Sequence, residues 1–408
     1  MSGIRKILVT ASAIFLSAMA AKGQTSSVDG VVKMLQEEGF EDIRTHVAND
    51  TLFASIEDRT YRGTFRGAAT AIKSISERHP EIQQFEILLT EYKTPQLIVH
   101  ASKRGGIWDV RVDREMQKAR KRLKAETPQA KSSGKIDITL YPMVSLVNNK
   151  LDHLFDYNVR LAPAIAATLW KGARLTIQPI IPYLNNLKEY DSGRRIQIGQ
   201  TNIRQQVLST KRWTMSAAVG FFHVERVGGY AEVGYHAMRG LDLYIKGGYT
   251  ASSTNSKEDG FGIVRNSEKL DFMARADYYE PYTKLQIQLQ GGRFLYGDYG
   301  GRLDVTRHFC EYAIGAYAIL TEGEHNFGFH FAIPFGGKKQ KQRGFVRFRL
   351  PEYFAMEYFM ESNPKSKYYS QNMGDYYTTQ PDENRSAHFW EPAFIQEYVT
   401  RILNGTFQ

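Results

Sequence analysis

The sequence predicts a mainly β protein: a transmembrane antiparallel β-barrel of about twelve to fourteen strands, preceded by a small periplasmic α/β domain. Three observations carry this. The chain opens on a leader-like segment. A helix-and-strand pattern follows. After Gly134 the hydrophobic period changes from 3.6 to 2 and stays there for most of the remaining chain.

Residues 1–23 read as a signal peptide. Arg5 and Lys6 give a positive start, Ile7 to Ala18 a short apolar run, and Ala18-Met19-Ala20 small residues for cleavage, with Ala21-Lys22-Gly23 as a second cut. The run is too short to span a bilayer, which takes about 20 residues. No cysteine lies near the cut, so lipoprotein processing is not expected. The mature chain is expected beyond the inner membrane.

Residues 28–112 read as the α/β domain. Val28, Val31, Val32 and Leu35 recur at helical spacing, with Gly39 as a C-cap. Ile43–Val47 and Leu52–Ile56 alternate around an Asn49-Asp50 turn. Ala68, Ala69, Ile72 and Ile75 share one face of a second helix, which His79-Pro80 ends. Phe85–Leu89 and Gln96–His100 pair around Lys93-Thr94-Pro95, and Trp108–Val112 adds a short strand. His46, His79 and His100 are scattered and read as surface or packing residues, not ligands.

Residues 113–134 read as a basic linker, with Arg114, Lys118, Arg120, Lys121, Arg122, Lys124 and Lys131, and a helical stretch within Glu115–Ala125. Such a segment is either a solvated tether or a face for anionic headgroups or an acidic polysaccharide.

Residues 135–360 read as the barrel. Leu243 and Ile245 alternate with Asp242, Tyr244 and Lys246. Phe272, Ala274 and Ala276 alternate with Asp271, Arg275 and Asp277. Leu285, Ile287 and Leu289 alternate with Gln286, Gln288 and Gln290, and Val346, Phe348 and Leu350 with Phe345, Arg347 and Arg349. Charges inside a strand must face water while their neighbours face something apolar. Tyr230, Tyr235, Tyr249, Tyr278, Tyr279, Tyr282, Phe294 and Tyr296 stand near strand ends, where interfacial aromatic girdles are expected. Residues 361–408 read as a tail: a plug, a closing strand or a helix, since Phe394, Ile395, Tyr398, Val399 and Ile402 repeat at helical spacing.

Bulk properties agree. Of 408 residues 42% are hydrophobic, and the mean hydropathy is −0.42, which excludes a bundle of membrane helices but not a barrel. The net charge of +10 suits nucleic acid, lipid headgroups or an acidic polymer, and export makes nucleic acid the weakest of these. The single cysteine, Cys310, reads as a small strand residue without a disulfide partner.

Residues 291–354 carry a more specific pattern. Gly292-Arg293-Phe294-Leu295-Tyr296-Gly297-Asp298-Tyr299-Gly300-Gly301 is followed by Thr306-Arg307-His308-Phe309, Gly315-Ala316-Tyr317 and Thr321. Then come Phe327-Gly328-Phe329-His330-Phe331-Ala332-Ile333-Pro334-Phe335, Arg343-Gly344-Phe345 and Arg349-Leu350-Pro351-Glu352-Tyr353. In order and spacing this resembles the YjbH family of outer-membrane barrels linked to exopolysaccharide and group 4 capsule production. The likeness covers the last third of the chain. Family members are longer, with two barrels, so this chain resembles a single-barrel form. Glu322-Gly323-Glu324-His325-Asn326 also replaces the family's acidic-glycine run.

The resemblance implies a non-enzymatic outer-membrane protein of a Gram-negative bacterium, serving exopolysaccharide or capsule export or assembly. Expected partners are outer-membrane lipid, an acidic polysaccharide, and periplasmic export or assembly proteins. No cofactor, metal or catalytic residue is assigned. Arg275, Gln286, Gln288, Arg347 and Arg349 are the expected lumen contacts for polysaccharide, because such groups bond sugar hydroxyls. A passive diffusion or structural barrel is the alternative. A lipid- or glycan-modifying barrel enzyme is the third reading, with His223, His236, His308, His325, His330 and Ser216 in or near strands but in no compelling pairing.

Overall fold

The computed structural model describes residues 29–147, 156–185, 196–223, 226–256, 260–340, 344–359, 373–381 and 389–406. The predicted leader lies outside the described residues. The protein is mainly β, with a small N-terminal α/β sheet and a large antiparallel sheet.

The N-terminal unit follows its predicted pattern. Helix α1 (29–38) precedes β1 (Glu41–Ala48) and β2 (Thr51–Glu57). Helix α2 (Thr64–Arg78) crosses to β3 (Gln84–Glu91), which pairs β2 in parallel, and β4 (Thr94–Arg104) and β5 (Ile107–Asp113) complete the sheet. Val31, Leu35, Ile43, Leu52, Ile56, Phe65, Ile72, Phe85 and Val99 are buried in one core. Helix α3 (Gln117–Leu123) covers part of the opposite face. Its Ala119 and Leu123, with Met116, bury against Phe53, Leu88 and Ile98.

The basic stretch is therefore not a free linker. Beyond α3, Gln129 bridges to Ile43, and the Ser132 amide donates to Asp42 Oδ2 at 3.2 Å. The apolar spacing of Met116, Ala119 and Leu123 binds it to the domain, while its cations stay outside.

The large sheet begins with β6 (Ile136–Val147), β7 (Asp156–Thr168), β8 (Ala173–Ile177), β9 (Pro179–Asn185), β10 (Gln197–Ile198) and β11 (Thr201–Ser209). It continues with β12 (Trp213–His223), β13 (Arg226–Met238), β14 (Leu241–Ser256), β15 (Gly260–Ile263) and β16 (Lys269–Glu280). It ends with β17 (Leu285–Arg293), β18 (Tyr299–Phe309), β19 (Tyr312–Thr321), β20 (Glu324–Pro334), β21 (Val346–Arg349) and β22 (Tyr353–Phe359). Neighbours pair antiparallel, whereas β21 and β22 pair β6 in parallel, so the last strand lies beside the first. Four strands are broken in two: β8 with β9, β10 with β11, β15 with β16, and β21 with β22. Among the described residues this leaves thirteen strands.

The polarity of this sheet is the reverse of a water-soluble one. Phe348 is 81% exposed, Ile245 70% and Leu289 58%, while their strand neighbours Arg347 and Lys246 are buried at 5% and 8%, and Gln290 at 5%. Apolar side chains face out and charges face in, as the alternation predicts. The exposed aromatics include Trp170, Tyr183, Trp213, Tyr249, Tyr278, Tyr282 and Tyr299. Three residues expected in the girdles are instead buried: Tyr230, Tyr279 and Phe294. Tyr278 and Tyr279 are consecutive on β16, so they must take opposite faces. Cys310 is not a strand residue but sits in the β18–β19 turn at φ 61°, buried, and burial pushes its thiol up to about 12.

The α/β unit is seated on one end of the large sheet. The Gly172 amide donates to Tyr92 O at 2.8 Å, Ser209 Oγ to Pro95 O at 2.8 Å, and Arg62 Nε to Glu311 at 2.9 Å. Helix α4 (Pro392–Leu403), in the tail, completes the domain's own core. Phe394 meets Phe65 edge-on at 5.8 Å, and Phe394, Ile395, Tyr398 and Val399 are buried there. The helical reading of the tail therefore holds for this stretch.

The parallel seam is pinned by Arg347. It faces Asp137 directly across the β21–β6 register and donates from Nε and Nη2 at 2.7 and 2.9 Å. Its Nη1 reaches Glu41 of β1, which also takes Lys135 Nζ at 2.6 Å. Removing one member of a buried ionic group costs about 3–5 kcal/mol because it strands the other charges. Arg347→Met should lower unfolding stability by that amount, read as an earlier urea midpoint in detergent micelles. An unchanged midpoint would contradict this role for the seam.

Candidate functional site

The inward polar face, the domain and the tail together enclose a chamber. Its wall carries Arg204, Glu232, Asp242, Tyr244, Lys246, Arg275, Asp277, Gln286 and Gln288 from β11 to β17. Gln96 and Leu97 of β4 close the domain side, and Tyr376, Tyr377, Gln380, Trp390 and Glu391 come from the tail. Alternation forces these wall residues inward, because their neighbours are the exposed apolar set.

The charges inside are arranged in pairs. Lys246 Nζ lies 3.2 Å from Glu232, and Gln286 and Gln288 both donate to Asp277, at 3.0 and 2.8 Å. Asp242 takes His236 Nδ1 at 2.7 Å and Arg114 of the domain at 3.2 Å. The Arg275 guanidinium stacks 4.2 Å over the Tyr244 ring. Buried charges require such partners, since an unpaired one costs several kcal/mol. The outcome is a chamber of mixed charge, amide groups and aromatic faces rather than a patch of one sign.

The tail threads this interior. The Gly374 amide donates to Asp298 Oδ2 at 3.0 Å, and Met373 packs on Tyr317 and Ile319. Tyr377 donates to Asp271 at 2.5 Å and packs between Phe222 and Tyr230. Thr379 accepts from Arg174 at 2.7 Å, near the domain end. Gly248 makes the close approach of Tyr377 achievable, because a Cβ there would lie 2.1 Å from the phenol oxygen. Residues 373–380 thus form a strap against the inward polar face of the sheet.

Of the five predicted contacts, Arg275, Gln286 and Gln288 line the chamber. Arg349 lines a second cavity between domain and sheet, with Asp58, Asp137 and Glu352. Arg347 does not line the chamber: its Nε, Nη1 and Nη2 donate to Asp137 and Glu41 at the seam. Sequence reasoning missed Tyr376, Tyr377, Gln380 and Trp390, although the Tyr376-Tyr377 pair in a polar stretch was a visible trace.

Two groupings could suggest chemistry. Thr306 Oγ1 lies 2.7 Å from His330 Nε2, as in a nucleophile–base pair. The third member fails: Asp304 is 3.8 Å from His330 Nδ1 and is held by Arg302. Asp304, His330 and Glu357 also bring ligand atoms within 4.8 Å of one another, the only such trio among the described residues. Arg302 already donates to all four carboxylate oxygens, at 2.7–3.0 Å, so a metal would have to displace it. Neither grouping lines the chamber.

Asp58 in the second cavity accepts from the Thr60 and Tyr61 amides at 2.8 and 2.9 Å, yet burial raises its carboxyl from 3.8 to about 7. A raised acid binds its proton more tightly when folded. Its contribution is therefore full below about pH 4 and is lost as pH rises through about 7. Asp58→Asn should leave stability near pH 4 unchanged and raise it at pH 8. Urea midpoints at the two values check this, and equal shifts at both would refute it.

No protein-family model and no curated protein matches this chain.

Proposed function

We propose that this protein is an outer-membrane β-barrel that serves export or assembly of a surface polysaccharide without catalysing a reaction. The observation that carries the membrane half is the inverted polarity of the large sheet. Outward apolar residues and inward charges suit lipid outside and water inside. The return of β21 and β22 to β6 supports closure, since a bilayer tolerates no open sheet edge. Among the described residues no helix is long and apolar enough to cross a membrane, so strands would have to cross it.

The polysaccharide half is supported by the chamber and by the resemblance of residues 291–354. Gln286, Gln288, Asp277 and Arg275 offer donors and acceptors for hydroxyls, and Tyr244, Tyr376 and Trp390 offer faces for sugar rings. Deletion of the gene should reduce surface polysaccharide amount or length. Unchanged capsule and exopolysaccharide would sink this reading.

A passive diffusion barrel is the second reading, and the strap argues against it. Protein reconstituted in planar bilayers should show little steady conductance. Deleting residues 373–380 should raise it several-fold, because Tyr377 and Thr379 fill the interior. A robust open pore in the intact chain would favour diffusion instead.

A further inference from the structure

The strongest unassigned surface is the cationic face of α3, and it lies where the proposed membrane boundary falls. Ala119 and Leu123 turn inward, which leaves Lys118, Arg120, Lys121 and Arg122 exposed, followed by exposed Lys124. The carboxylates nearby are already engaged: Glu86 with Lys118 at 2.7 Å, Glu115 with Lys211 at 2.7 Å, and Glu126 with His46 at 3.1 Å. Among the described residues no salt bridge neutralises Lys121, Arg122 or Lys124.

The helix is fixed to the rim of the large sheet. Arg120 Nη1 donates to Ser209 O at 3.2 Å, at the end of β11. The adjacent β7–β8 turn brings Lys171 to the same place. Burial, and then the charges of Arg120 and Arg44, hold the Lys171 ammonium below its ordinary range, so cations crowd here. Next to Lys171 on that turn, Trp170 is 56% exposed, and Trp213 at the start of β12 is 48% exposed and packs on Tyr235 at 4.7 Å. Indole rings settle at the headgroup level of a bilayer. The basic helix and the exposed indoles therefore share one level at one rim.

We propose that the α3 face, with Lys171, binds anionic phospholipid headgroups of the leaflet on the domain's side. The inference rests on the membrane reading above. Lipid is favoured over an acidic polysaccharide because the indoles place hydrocarbon beside the cations, and a soluble polymer has no use for that neighbour. The contact would anchor the domain flat against the bilayer as well as against the sheet.

The test uses the full chain, folded into phosphatidylcholine vesicles with and without about one-third phosphatidylglycerol. Folding is read from heat-modifiable gel mobility. Lipid retained after detergent extraction is then quantified. The intact protein should retain phosphatidylglycerol enriched about threefold over its share of the vesicle, and about half-molar salt should abolish the enrichment. The triple variant Lys121→Glu, Arg122→Glu, Lys124→Glu should fold with the same mobility and show no enrichment. Equal enrichment in the variant, or none in the intact protein, overturns the proposal. Alginate binding that the variant loses, without phosphatidylglycerol enrichment, assigns the face to polymer and also overturns it. Failure to fold into either vesicle defeats the membrane reading itself, which is a separate result.

Discussion

The seam at Arg347 is the constraint on which the other parts depend. A ring of antiparallel strands closes on an antiparallel pair only when the strand number is even. With thirteen strands among the described residues, the first and last run the same way, and β21 meets β6 in parallel. Parallel pairing is slightly weaker per residue. The stretch at this junction is short, since β21 has only four residues. A fork from Arg347 to Asp137, tied on to Glu41, supplies a directional bond where the backbone ladder is thinnest. Because Glu41 belongs to β1, the α/β unit is tied into this seam and is not an appendage.

Reversed polarity then dictates the interior. Once apolar side chains face out, every charge on the inner face must find a partner inside. Arg302 answers Asp304 and Glu357, Lys246 answers Glu232, and Asp277 takes two glutamine amides. The strap belongs to the same settlement, because Tyr377 and Thr379 satisfy Asp271 and Arg174. These bonds give a defined shape to a cavity that hydration alone would leave loose.

Much of this was legible in the sequence, and the limits have physical causes. Alternation depends only on neighbours along one strand, so Gln286, Gln288 and Arg275 could be turned inward without any knowledge of pairing. The α/β domain was equally readable, since its helices and strands carry local periodicity. The odd strand number was not, because broken strands such as β8 and β9 look like two elements in sequence and behave as one in the sheet. The fate of Arg347 depends on Glu41, some three hundred residues away, and no local pattern encodes that. The basic stretch misled for a different reason: its charge is visible, while the three apolar residues that dock α3 are sparse among the lysines and arginines.

The threaded tail has a consequence for the order of assembly. The α/β unit is first along the chain, yet its core includes Phe394, Ile395, Tyr398 and Val399 from near the other end. Before them, residues 373–380 run against the inward polar face of the large sheet. Until the last helix arrives, the domain presents an uncovered apolar face around Phe65. Helix α4 therefore acts as a completion mark: the core around Phe65 is fully buried only once a segment far along the chain has docked on it.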